Sequence, residues 1–101
     1  MKIASLAVVA LAAFSAQAFA AEDANRTISA LGAQGTGYLQ VKEGFSQPCQ
    51  FGTVYLPDLS QYSARAMMAV LVSAQARGAL VTVSYDVAAS GYCTANKIQA
   101  Q

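Results

Sequence analysis

Few residues of this chain could do chemistry, and their types exclude more than they suggest. There is no histidine. That removes Ser-His and Cys-His nucleophile pairs and imidazole metal sites. The carboxylates are scattered: Glu22 and Asp23 in a polar stretch, Glu43 at a predicted strand end, Asp58 before a predicted helix, Asp86 within a predicted strand. Glycoside cleavage needs two carboxyl groups within about 10 Å of each other. Glu43 and Asp86 could meet across strands, but nothing in the spacing favours it. Asp58 is read as a helix cap and the others as solvated. The glycines of Gly32-Ala33-Gln34-Gly35-Thr36-Gly37 lack the lysine and following helix of a phosphate loop, so the segment is read as a turn. No catalytic residue, metal or cofactor is assigned, and the chain is expected not to be an enzyme.

Two cysteines remain, Cys49 and Cys93. They are too far apart for a Cys-x-x-Cys redox motif. In an oxidising compartment an even pair forms a structural disulfide. Here it would close a loop of about 45 residues, worth roughly 4 kcal/mol by chain entropy. The aromatic residues Tyr38, Phe45, Phe51, Tyr55, Tyr85 and Tyr92 are the other candidates. Most could simply fill a core. Tyr38, however, shares a strand face with Gln40 and Lys42, and an exposed tyrosine beside amides can stack on a sugar or a partner. Tyr38, Gln40, Lys42 and Tyr92 are the expected ligand contacts.

The compartment is argued from the N-terminus. Met1 and Lys2 form a positive start, and Ile3 to Phe14 is apolar apart from Ser5. Two small-x-small sites follow, Ala16-Gln17-Ala18 and Ala18-Phe19-Ala20. Residues 1–20 therefore read as a signal peptide cleaved after Ala20. The apolar run is shorter than the ~20 residues of a spanning helix, so no stable membrane insertion is expected after cleavage. The product should be periplasmic or secreted. Without the leader, five basic residues (Arg26, Lys42, Arg65, Arg77, Lys97) balance five acidic ones. A near-neutral chain with no basic stripe is not a nucleic-acid binder.

The elements follow from periodicity. Residues 21–27 are polar and expected to be a flexible N-terminus, leaving 28–101 as one disulfide-bonded domain. Strands are expected over 27–31, 38–43 and 49–56, each with alternating faces in the clearer cases. Asp58 and Gln61 suggest a capping box for a helix from Leu59 to Arg77, closed by Gly78. Its stripe would be Leu59, Tyr62, Ala66, Val70 and Ala74. The run 66–72 is apolar all round, which suggests burial on two sides. Met67, Met68, Leu71 and Val72 are thus the expected oligomer-contact face of a homo-oligomer. Strands at 80–87 and 94–100 complete a β-β-β-α-β-β order. The class is α+β: a small antiparallel sheet or a partly open OB-like barrel with one central helix.

The segment Met67-Met68-Ala69-Val70-Leu71-Val72-Ser73-Ala74-Gln75-Ala76-Arg77-Gly78, then Val81-Thr82-Val83, Cys93 and Ile98, resembles a group of small exported bacterial proteins of unknown function. Cys49 is similar to that group's partner cysteine. The element order is also similar in architecture to the OB-fold B subunits of AB5 toxins, which implies a ring of subunits and a glycan ligand but carries over no binding residue. The expected function is a non-catalytic binding or interaction module, with a glycan or envelope protein as partner. The alternative is a structural or housekeeping periplasmic protein without a small ligand.

Overall fold

The structure, a computed structural model, describes residues 18–101. Most of the expected signal peptide, residues 1–17, lies outside the described residues. The strands are β1 (Phe19–Arg26), β2 (Ile28–Gln34), β3 (Thr36–Val41), β4 (Val54–Asp58), β5 (Val81–Val87) and β6 (Cys93–Ala100), with α1 (Tyr62–Arg77) between β4 and β5. They form one sheet in the order β1-β5-β6-β4-β3-β2. The class is α+β, and the β-β-β-α-β-β series is present as β2-β3-β4-α1-β5-β6, preceded by β1. The sheet is open, with β1 and β2 as its edges, and is not closed into a barrel. It is also mixed: β4 and β6 pair in parallel. The crossover through α1 sets β5 down two places from β4, and the β5–β6 hairpin returns β6 into the gap.

Two neighbouring rows of residues cross the sheet and define its faces. One row is Phe19–Val87–Cys93–Val54–Leu39–Leu31, each residue opposite the next. Its four central members are buried in the core, together with Val41, Leu56, Val81, Val83, Tyr85 and Ala95. α1 covers this face over β6, β4 and β2. The adjacent row is Ala20–Asp86–Thr94–Tyr55–Tyr38–Gly32. Successive side chains of a strand point to opposite faces, so this second row faces away from the helix.

Several expectations change. The segment 21–27 is not a loose tail: it lies in or beside β1, with Asp23 buried. Its polarity hides a strand because the inward charge is satisfied by distant groups. Phe19 and Ala20 pair with Val87 and Asp86, so cleavage after Ala20 would shorten β1 by two residues. The expected turn at 32–37 contracts to Gly35, and Gly32 and Gly37 lie within strands. A Cβ on Gly32 would collide with the Tyr38 ring, and one on Gly37 would lie 2.7 Å from Met68 Cε. Both glycines are there for close approach. The start of the expected third strand is instead a 3-10 turn, Gln50–Gly52.

The helix begins at Tyr62, later than Leu59, because Asp58 Oδ1 accepts the Ser60 N–H at 2.8 Å in a local turn. Gln61 is the N-cap and makes no side-chain cap bond. The C-terminus is as expected. Ala79 N–H bonds Ala74 O at 2.9 Å and Gly78 N–H bonds Gln75 O at 3.3 Å, which satisfies carbonyls left over by the last turn. Ala64, Leu71 and Ala74 form the buried stripe, flanked by half-buried Met67 and Met68. Of the expected stripe only Ala74 belongs to it, and Tyr62 is 80% exposed.

Candidate functional site

The helix-free face gathers aromatic, amide and hydroxyl side chains. Tyr38 on β3 and Tyr55 on β4 are directly opposed. Tyr55 meets Tyr92 with ring centroids 5.8 Å apart, and Tyr92 meets Phe51 at 6.3 Å. Two shallow concavities run together over this cluster. One, of about 330 Å³, is lined by Tyr38, Gln40, Phe51, Thr53 and Tyr55; the other, of about 510 Å³, by Tyr55, Pro57, Asp58, Tyr92 and Thr94. Gln34 and Thr36 line both.

Each member is held by a local cause. The Tyr38 ring lies over Gly32, the one residue type without a Cβ to obstruct it. Gln40 Nε2 donates to Thr53 Oγ1 at 3.0 Å, and Thr53 Oγ1 donates to Phe51 O at 3.0 Å. Phe51 stands at φ 61, ψ 17. That left-handed conformation costs a non-glycine residue about 1–2 kcal/mol. Its side chain recovers little by burial, being 70% exposed. The segment is pinned on both sides: Gln50 N–H bonds Gly91 O at 2.9 Å, and Cys49 is bonded to Cys93. The disulfide thus joins the two segments that present Phe51 and Tyr92.

The other end of the same loop is fixed by a polar cluster under the sheet. Asp23 is only 4% exposed. It accepts the Ser46 N–H at 2.9 Å, the Ser46 hydroxyl at 2.5 Å and the Tyr85 hydroxyl at 2.6 Å, with Arg26 Nη2 3.7 Å away. Burial pushes the Asp23 pKa up, but the Ser46 and Tyr85 hydrogen bonds and Arg26 outweigh it, so the carboxyl stays below its usual range. Burial and the bond to Asp23 push the Tyr85 phenol up. Phe45 packs edge-on to Tyr85 at 5.4 Å. Asp23 is therefore structural, not solvated as expected.

Two of the remaining carboxylates are held by local partners. Glu43 accepts the Thr27 N–H at 2.7 Å and the Thr27 hydroxyl at 2.6 Å, and these bonds lower its pKa. Asp58 is lowered by its bond from Ser60. Asp86 lies in the outer row opposite Thr94. Among the described residues no group of three or more metal-ligating side chains forms.

Of the expected ligand contacts, Tyr38, Gln40 and Tyr92 fall on this face, whereas Lys42 lies past the end of β3 and lines neither concavity. Phe51, Tyr55, Thr36 and Gln34 were missed as contacts. Alternation in the expected strand 49–56 was a signal for Tyr55 alone, since Phe51 lies in the 3-10 turn, where strand alternation does not apply. Of the expected oligomer contacts, Leu71 is fully buried and out of reach of a partner, Met67 and Met68 are half-buried against the core, and Val72 is exposed, at 52%. A helix rich in alanine and methionine reads as apolar all round while only one side is occupied.

No protein-family model, curated protein or solved structure matches this chain.

Proposed function

We propose that this chain is an exported, non-catalytic recognition module whose helix-free face binds a neutral glycan. The observation that carries the reading is the aromatic cluster Phe51–Tyr92–Tyr55, continued by Tyr38 and held on one open face. Tyrosine rings offer an apolar surface for the C–H face of a sugar and a hydroxyl for its edge. Gln34, Thr36 and Thr94 supply neutral donors and acceptors around them. Phe51 is both strained and exposed, two features that folding alone disfavours, and strain of this kind concentrates at ligand clamps. Export is supported by the disulfide, which persists in oxidising compartments. Among the described residues no helix is long and apolar enough to cross a membrane.

A glycan array followed by NMR titration tests this. Binding should centre on resonances of residues 34–40, 51–55 and 92–94. Tyr55→Ala and Phe51→Ala should each weaken it by about tenfold or more. The chain has no tryptophan, so tyrosine emission gives a second readout. A blank array, or variants that bind as well as the parent, overturns the reading. A protein recovered by pull-down from the cell envelope, with no glycan bound, would favour the structural alternative.

A further inference from the structure

The two edges of the sheet are built differently. β1 carries Glu22, Asp23 and Arg26, and its register shifts between Asp23 and Arg26. Charges and irregularities of this kind keep an edge from pairing with another chain. β2, at the opposite edge, reads Ile28-Ser29-Ala30-Leu31-Gly32-Ala33-Gln34 and holds neither charge nor proline. Its register shift lies at its start, between Ile28 and Ala30, and residues 30–34 are regular. Among the described residues, β3 is the one strand that pairs with β2, and no loop or turn backbone bonds to residues 29–34. An edge like this presents a row of unpaired N–H and C=O groups.

Apolar surface flanks that edge. Leu31 is half-buried at the rim of the core. The Met68 methyl lies against Gly37 of β3. Val72, four residues further along α1 and so on the same flank, is half-exposed.

We infer that β2 is a self-association edge, pairing antiparallel with β2 of a second copy about a two-fold axis normal to the sheet. A foreign peptide added to an edge is selected by pockets for its alternate side chains, and Ala30, Gly32 and Ala33 form none. A second copy needs no pockets, because an antiparallel pair of identical strands is self-complementary. Neither copy brings a charge to the seam, so no like charges face each other. The axis keeps both helices on one side, with the Met68 and Val72 flanks adjoining, and both aromatic faces on the other. The seam lies beside the helix, not on it, and of the four residues first expected at an oligomer contact only Met68 and Val72 border it. The inference does not depend on what the aromatic face binds.

Sedimentation velocity and concentration-dependent hydrogen exchange on the secreted chain test it. The expected species at micromolar concentration has twice the chain mass, and amides of residues 28–34 exchange more slowly as it forms. Ala33→Lys should raise the dissociation constant by about tenfold or more while leaving the far-UV circular dichroism unchanged. Glu22→Lys, on the opposite edge, should leave the dimer intact. A monomer only, an assembly larger than two, or a dimer that survives Ala33→Lys overturns the inference. If Ala33→Lys fails to fold, exchange on the unaltered chain still decides: equal rates for residues 28–34 at low and high concentration sink the proposal.

Discussion

The two rows that cross this sheet are one residue apart and have opposite fates. Val87, Cys93, Val54 and Leu39 are sealed beneath α1 and the 42–53 loop. Asp86, Thr94, Tyr55 and Tyr38 face away from the helix, with no second layer among the described residues. The covered row holds small and medium aliphatics and half of the disulfide. The open row holds tyrosines and polar groups. Burial contributes stability in proportion to the apolar area removed from water, so the covered row should dominate the folding energy. The open row, with its rings half in solvent, is available for recognition. One sheet thereby separates the residues that make the domain from those that could make it useful.

That separation can be broken by substitution, and the largest effect should come from the disulfide. Cys93 sits in the covered row, and replacing both Cys49 and Cys93 with serine should cost about 4 kcal/mol, read by denaturant unfolding. A loss below about 1 kcal/mol would mean that the sheet holds without the bond. Next come paired truncations of neighbours in one strand. Leu39→Ala and Val54→Ala should cost about 2–4 kcal/mol, whereas Tyr38→Ala and Tyr55→Ala should cost about 1 kcal/mol or less. Equal losses from the two rows would abolish the distinction drawn between them.

Asp23 sharpens the comparison, because it is a polar group on the covered side. Asp23→Asn should cost about 2 kcal/mol by disturbing charged hydrogen bonds to Ser46 and Tyr85. The pH dependence has a definite sign. The folded pKa of Asp23 is held below its unfolded value, which is near 3.9. Its contribution is therefore complete above about pH 4 and is lost as the pH falls through the folded pKa. Unfolding midpoints taken between neutral and strongly acidic pH should fall less steeply for Asp23→Asn than for the parent. The smallest effect is expected at Gly32. Gly32→Ala should push the Tyr38 ring off its seat and change the near-UV tyrosine dichroism, with a stability change of about 1 kcal/mol at most. An unaltered tyrosine signal would show that the ring is not held by the glycine.

Much of the covered row was legible because its signals are local. The alternation Val81-Val83-Tyr85-Val87 places β5 within one residue of its observed start, and Leu39 and Val41 identify the inner face of β3. Gly78 ends the helix as its position suggests. β1 was illegible for an equally specific reason. Asp23 reads as a surface charge until Ser46 and Tyr85, 23 and 62 residues away, supply its bonds. The helix face was misread because alanine and methionine mark no side strongly, and a strict four-residue step drifts round a helix of roughly 3.6 residues per turn, so of the expected stripe only Ala74 reaches the core. Tyr38 and Gln40 lie on the open face because strand periodicity carries that information, and Tyr92 joins them from the turn just before β6. Lys42 does not, because β3 ends at Val41.

The sequence alone determined the α+β class, the succession of strands around one helix, and the two cysteines available to pair in an oxidising compartment. These depend on hydrophobic period, turn residues and residue type, all of which are local. Tertiary structure decided which edges stay open, that β4 and β6 run parallel, and that a strained Phe51 meets Tyr92 across a disulfide. Those features arise between segments distant in the chain. They are fixed by strand order and by satisfaction of buried polar groups, and no short window of sequence contains either.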